Sequence, residues 1–101
     1  NGDYSGIFKE KMARMQEDLA LIEVVGESGA GLVKATATAK GELTGLEIDP
    51  SIFNGEDKEI VEDLILAAIK EAQTRASDRS KKELEKITES LGLPAGMKLP
   101  F

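Results

Sequence analysis

Residues 26–43 read GESGAGLVKATATAKGEL, and this stretch decides the fold. Within it Val33, Ala35, Ala37 and Ala39 alternate with Lys34, Thr36, Thr38 and Lys40. A period of two is that of a strand with one buried and one wet face. The buried set is almost all alanine, so whatever covers this strand must approach closely. Gly26, Gly29 and Gly31 crowd the stretch before it and rule out a helix interior there. Val24 and Val25 are expected to start a first strand that leads into the glycine turn. Gly41 and Glu42 fit a hairpin turn, and residues 43–49 return as a third strand with Leu46 and Ile48 on a common face. Asp49-Pro50-Ser51 ends the sheet, because Pro50 lacks an amide donor and keeps Asp49 away from helical angles.

Outward from this sheet the period changes to that of helices. Phe8, Met12, Met15, Leu19 and Ile22 recur at steps of four, three, four and three, which predicts one amphipathic helix over residues 4–23. Glu10 stands four residues before Arg14, the favourable order for a helix ion pair. After the sheet a helix is expected from Glu56 or Asp57 to Leu91, with acidic residues in its first turn where the dipole favours them. Its first half carries Ile60, Val61, Leu64, Ile65, Ala68, Ile69, Ala72 and Ala76; its second half keeps only Leu84, Ile87 and Leu91. Such a length is unusual in a small domain, so a break around residues 77–80 is expected. Two prolines and two glycines in residues 92–101 stop the helix, and Leu93, Met97, Leu99 and Phe101 are expected to dock.

The 101 residues suit a single domain, 1–101, able to bury roughly 60–65% of its unfolded surface. Asn1 is not a start methionine, so trimming is expected, and residues 1–5 are set aside as disordered or foreign to the domain. No cysteine and no histidine occur, which excludes disulfides, thiol chemistry, Cys or His zinc sites and imidazole-based triads. No apolar run is long enough to span a membrane, and a soluble intracellular protein is the expectation.

Few motifs carry chemistry. Gly26 and Gly31 are spaced as in a phosphate loop, but Leu32-Val33 stands where Lys and Ser or Thr are required, and a strand follows where a helix must start. The dinucleotide fingerprint fails because Lys34 replaces its third glycine. Glu59, Glu62 and Asp63 read as solvated helix positions and not as a metal or acid–base site. No catalytic residue, metal ligand or cofactor is expected.

Charge is informative through its distribution. The total is −6, which weighs against uniform coating of nucleic acid but leaves room for a local basic face. Residues 56–64 hold one cation against five acids, whereas residues 65–86 hold six against four. Arg75, Arg79, Lys82 and Lys86 follow steps of four, three and four and form one helical stripe. Such a stripe can track a phosphate backbone; it can also be an ordinary solvated face, since Glu71 with Arg75 and Asp78 with Lys82 are spaced as ion pairs.

Several blocks in fixed order then carry a resemblance across nearly the whole chain: KEKMARMQEDLA (9–20), GESGAGLVKATATAKGEL (26–43), LEIDPSIF (46–53), DKEIVEDLILAAIKEA (57–72) and GLPAGMKLPF (92–101). In these the chain resembles the YbaB/EbfC family of nucleoid-associated DNA-binding proteins. The resemblance implies an α+β fold, with an α-β-β-β-α core, an antiparallel three-stranded sheet and extended helical arms. It also implies a homodimer that grips double-stranded DNA between its arms with little sequence preference, in the cytoplasm at the nucleoid. Lys9, Lys11, Arg14, Arg75, Arg79, Lys82 and Lys86 are the expected DNA-binding residues, through phosphate contacts. Met12, Met15 and Leu19 are expected to pair with Leu84, Ile87 and Leu91. The alternative, from another class, is a protein-interaction or regulatory accessory module using the acidic patch at 56–64 and the apolar tail at 99–101.

Overall fold

The computed structural model describes residues 5–55 and 57–93. Its elements run α1 (Ser5–Leu21), β1 (Glu23–Ser28), β2 (Val33–Thr38), β3 (Leu43–Ile48), a 3-10 turn (Pro50–Phe53) and α2 (Lys58–Ser90). This is the expected α-β-β-β-α order. The sheet is antiparallel with β2 in the centre. Its register sets Gly26 opposite Ala35 and Ala35 opposite Leu46, with Val33 opposite Ile48. A bulge at Thr36 and Ala37 then lets Leu43 face Ala37.

α2 lies on that face over β1 and β2. Val33, Ala35, Ala37, Ala68 and Ala72 are completely buried between the layers, and Ile52 closes the end. The alanines allow the close approach, and Gly26 completes it. A Cβ on Gly26 would stand 2.3 Å from both the Ala68 carbonyl oxygen and the Ala72 nitrogen. Here strand and helix touch backbone to backbone. β1 therefore continues through Gly26 to Ser28, and the turn is confined to Gly29, Ala30 and Gly31, all with positive φ. The Ser28 hydroxyl donates to the Leu64 carbonyl and ties this turn to α2.

After β3 the Asp49 carboxylate accepts from the Ser51 amide at 2.9 Å, which starts the 3-10 turn and holds that carboxyl below its ordinary range. Asp57 caps α2 in the same way, through the Glu59 amide. α2 then runs for 33 residues, about 50 Å, with no break at 77–80. The expected break is absent because α1 supports the distal half. Met15, Leu19 and Ile87 are buried together with Ala39, and Phe8, Met12, Leu84 and Leu91 pack around them. The expected pairing of the two apolar stripes is thus present. Leu19 sits beside Ala76 and Ser80, while Met15 sits beside Glu83, so the helices run antiparallel.

Both ends of the arm are closed by hydrogen bonds. The Ala39 amide donates to the Leu19 and Ile22 carbonyls, joining the end of α1 to the sheet. At the end of α2, Gly92 takes a φ of +77°, its amide donates to Glu89 and that of Leu93 donates to Thr88. This is a Schellman motif, and only glycine adopts that φ without strain. Of the tail residues expected to dock, Leu93 is half-buried, whereas Met97, Leu99 and Phe101 lie outside the described residues. The result is a sheet-and-helix head carrying a two-helix arm, 68 × 22 × 18 Å in extent.

Candidate nucleic-acid interface

An unbroken α2 places Arg75, Arg79, Lys82 and Lys86 along one side, as the spacing requires. Their surroundings differ. Arg75 lies where α2 crosses β1: Nη1 donates to the Val25 carbonyl at 2.6 Å and Nη2 pairs with Glu71 at 2.8 Å. The same Glu71 oxygen accepts from the Glu27 amide at 3.4 Å. Together Arg75 and Glu71 occupy backbone groups along the outer edge of β1, where an added strand would pair.

Farther along the arm Glu83 organises the stripe. One of its oxygens receives Lys86 Nζ at 2.9 Å and Arg79 Nε at 3.2 Å. The hydrogen bond from Lys86, then that from Arg79, hold the Glu83 carboxyl below its ordinary value. Lys82 is exposed and makes no ion pair among the described residues. The spaced pair Glu71 with Arg75 forms, whereas Asp78 with Lys82 and Glu10 with Arg14 do not close to ion-pair distance.

Of the cations on α1, Lys11 and Arg14 line a groove between the helices with Ile7 and Met15, and Glu83 forms its far wall. Glu10 and Asp18 line it too, so this flank mixes signs. Glu83, which engages Arg79 and Lys86, thus lines the same groove as Lys11 and Arg14. Lys9 lies roughly 200° round α1 from Lys11 and belongs to the opposite flank. On that flank two lysines that spacing does not single out, Lys40 and Lys81, border a second cleft. Nothing in the linear pattern could pair them, because one sits in the hairpin turn and the other on the arm.

Among the described residues no group of three or more acidic side chains is placed to hold a metal ion. No described helix is long and apolar enough to cross a membrane. The described residues thus form an α+β head that carries a cation-bearing two-helix arm. The chain belongs to the YbaB/EbfC DNA-binding family, whose model matches residues 6–91. Its fold is similar to that in the crystal structure of uncharacterized protein HP0035 from Helicobacter pylori, with 22% identity and a TM-score of 0.73 over 85% of this chain and 90% of that one.

Proposed function

We propose that this chain binds duplex DNA as a homodimer, through phosphate contacts with little sequence preference, and acts at the nucleoid in the cytoplasm on DNA organisation or gene expression. The observation that carries this reading is membership of a DNA-binding family over residues 6–91 together with cations grouped on the arm. Lys9, Lys11, Arg14, Arg79, Lys82 and Lys86 are the phosphate contacts. Arg75, held by Val25 and Glu71, has the least freedom to reach one. The protein does no catalysis and needs no cofactor.

The homodimer is supported by the one part of the inner sheet face that α2 leaves bare. Leu43 and Leu46 share the face of Ala37 and Ala35 but remain 47% and 48% exposed. Phe53 and Ile60 are also exposed. Since Arg75 and Glu71 block the edge at β1, the open edge is β3, and a second copy related by a two-fold axis would cover it.

The test is an anisotropy titration on random duplex at several salt concentrations. Three to five phosphate contacts give a slope of log affinity on log salt of about −3 to −5. Salt-independent binding, or none below about 50 μM dimer at low salt, overturns the reading.

A further inference from the structure

We propose that the cleft on the arm's second flank, between α1, the β2–β3 turn and α2, is a phosphate-binding site. Three observations support it. Its polar side chains are Gln16, Lys40, Gln73, Ser77, Ser80 and Lys81, with Leu19, Ala39 and Ala76 as its floor. Among the described residues no carboxylate lines it, although the chain has 19 acidic residues and the groove on the other flank holds Glu10, Asp18 and Glu83. Neither Lys40 nor Lys81 makes an ion pair among the described residues.

Two lysines with Ser and Gln residues around one cleft, and no carboxylate among its described lining, offer the donors that a phosphate oxyanion takes. The cleft measures about 490 Å³, within the size range of small-ligand sites. Its walls are firmly placed. The hairpin carrying Lys40 is held by the Gly41 amide donating to Thr38 and by the Lys40 amide donating to the Thr38 hydroxyl. The phosphate comes either from a nucleic-acid strand, which extends the DNA-binding reading to this flank, or from a free phosphorylated molecule.

The test has two arms and uses the whole chain and the variant K40Q/K81Q, whose fold is checked by its melting curve. In the first arm inorganic phosphate is titrated at constant ionic strength while amide resonances are followed by NMR. The site predicts saturable shifts at Lys40, Gly41, Ser77 and Ser80 that vanish in the variant. Absence of such shifts in the parent protein overturns the proposal, whether or not the protein binds DNA. In the second arm both proteins are titrated with duplex. A roughly tenfold loss of affinity and a salt slope shallower by about 1 per phosphate lost assign the site to the nucleic-acid backbone. Phosphate shifts with duplex binding unaltered assign it to a free phosphorylated molecule.

Discussion

Replacing Gly26 by alanine tests the packing on which the whole arrangement depends. The new Cβ would meet the Ala68 oxygen and the Ala72 nitrogen at 2.3 Å, and the Ala72 Cα at 2.9 Å. All three are backbone atoms of α2, so no side chain can rotate aside. Relief requires α2 to lift by about 1 Å, and a gap of that size forfeits a quarter to a half of each dispersion contact it opens. The contacts at risk are those of Ala68 and Ala72 with Val33, Ala35 and Ala37, all fully buried. Overpacking costs about 1–3 kcal/mol where side chains can adjust, and the upper end or more is expected here. About 3 kcal/mol is a large share of a total near 5–15 kcal/mol, and lowers the melting temperature by roughly 12–24 °C. Thermal and urea melts by circular dichroism, at one protein concentration for both proteins, read the change. Gly45→Ala is the control, because its Cβ meets nothing nearer than the Thr36 Cβ at 3.7 Å. A Gly26→Ala protein within about 0.5 kcal/mol of the parent, with an unchanged urea slope, would refute the backbone contact.

Three further outcomes follow from named contacts. Glu83→Gln removes the carboxylate that engages Arg79 and Lys86, so duplex affinity in anisotropy titrations should rise about three- to tenfold at low salt, with a slope steeper by about 1; weaker binding would mean that Glu83 positions these cations instead of competing for them. Leu46→Asp puts a charge on the bare inner face, and sedimentation at about 10 μM should move from dimer toward monomer; an unchanged dimer would place the interface elsewhere. The Glu83 and Asp49 carboxyls are both lowered in the folded chain, from ordinary values of 4.5 and 3.8, so their contributions are present above those values and fade as pH falls through the folded ones. Melting temperature should hold from neutral pH to about 5 and drop below it, and Glu83→Gln should flatten part of that drop.

Which features are legible in the sequence follows from how local their causes are. The alternation across residues 33–39 is a property of the strand itself, and it placed Ala35 and Ala37 correctly on the buried face. Leu46 falls on the same face, yet nothing in its own strand says that α2 stops short of β3. Gly26 reads as punctuation because glycine is rare inside strands. Only the helix lying on it, more than 40 residues later in the chain, gives it a reason to be there. Continuity of α2 through 77–80 was hidden for a similar reason, since its weak apolar face is completed by Met15 and Leu19 from the other end of the chain. The four-residue pair Glu71 with Arg75 was visible in the spacing. The bond from Arg75 to the Val25 carbonyl, 50 residues away, was not, and it changes what that arginine is free to do.

The same geometry settles what a net charge of −6 can and cannot do. Asp63 marks the end of the acidic start of α2, and Arg79 stands 16 residues on, about 24 Å along the axis. The Debye length is about 8 Å at physiological ionic strength, so the head's acids are screened from the arm by some three decay lengths. There the arm's cations act through their immediate neighbours, and Glu83 matters more than the whole proximal cluster. At 0.01 M salt the Debye length grows to about 30 Å, and the head's negative field then reaches the arm. On the proposed reading, lowering salt thus strengthens attraction of a duplex to the arm and its repulsion from the head together. Contacts confined to the arm can satisfy both demands, because they keep the duplex at the end of the molecule farthest from Glu59, Glu62 and Asp63.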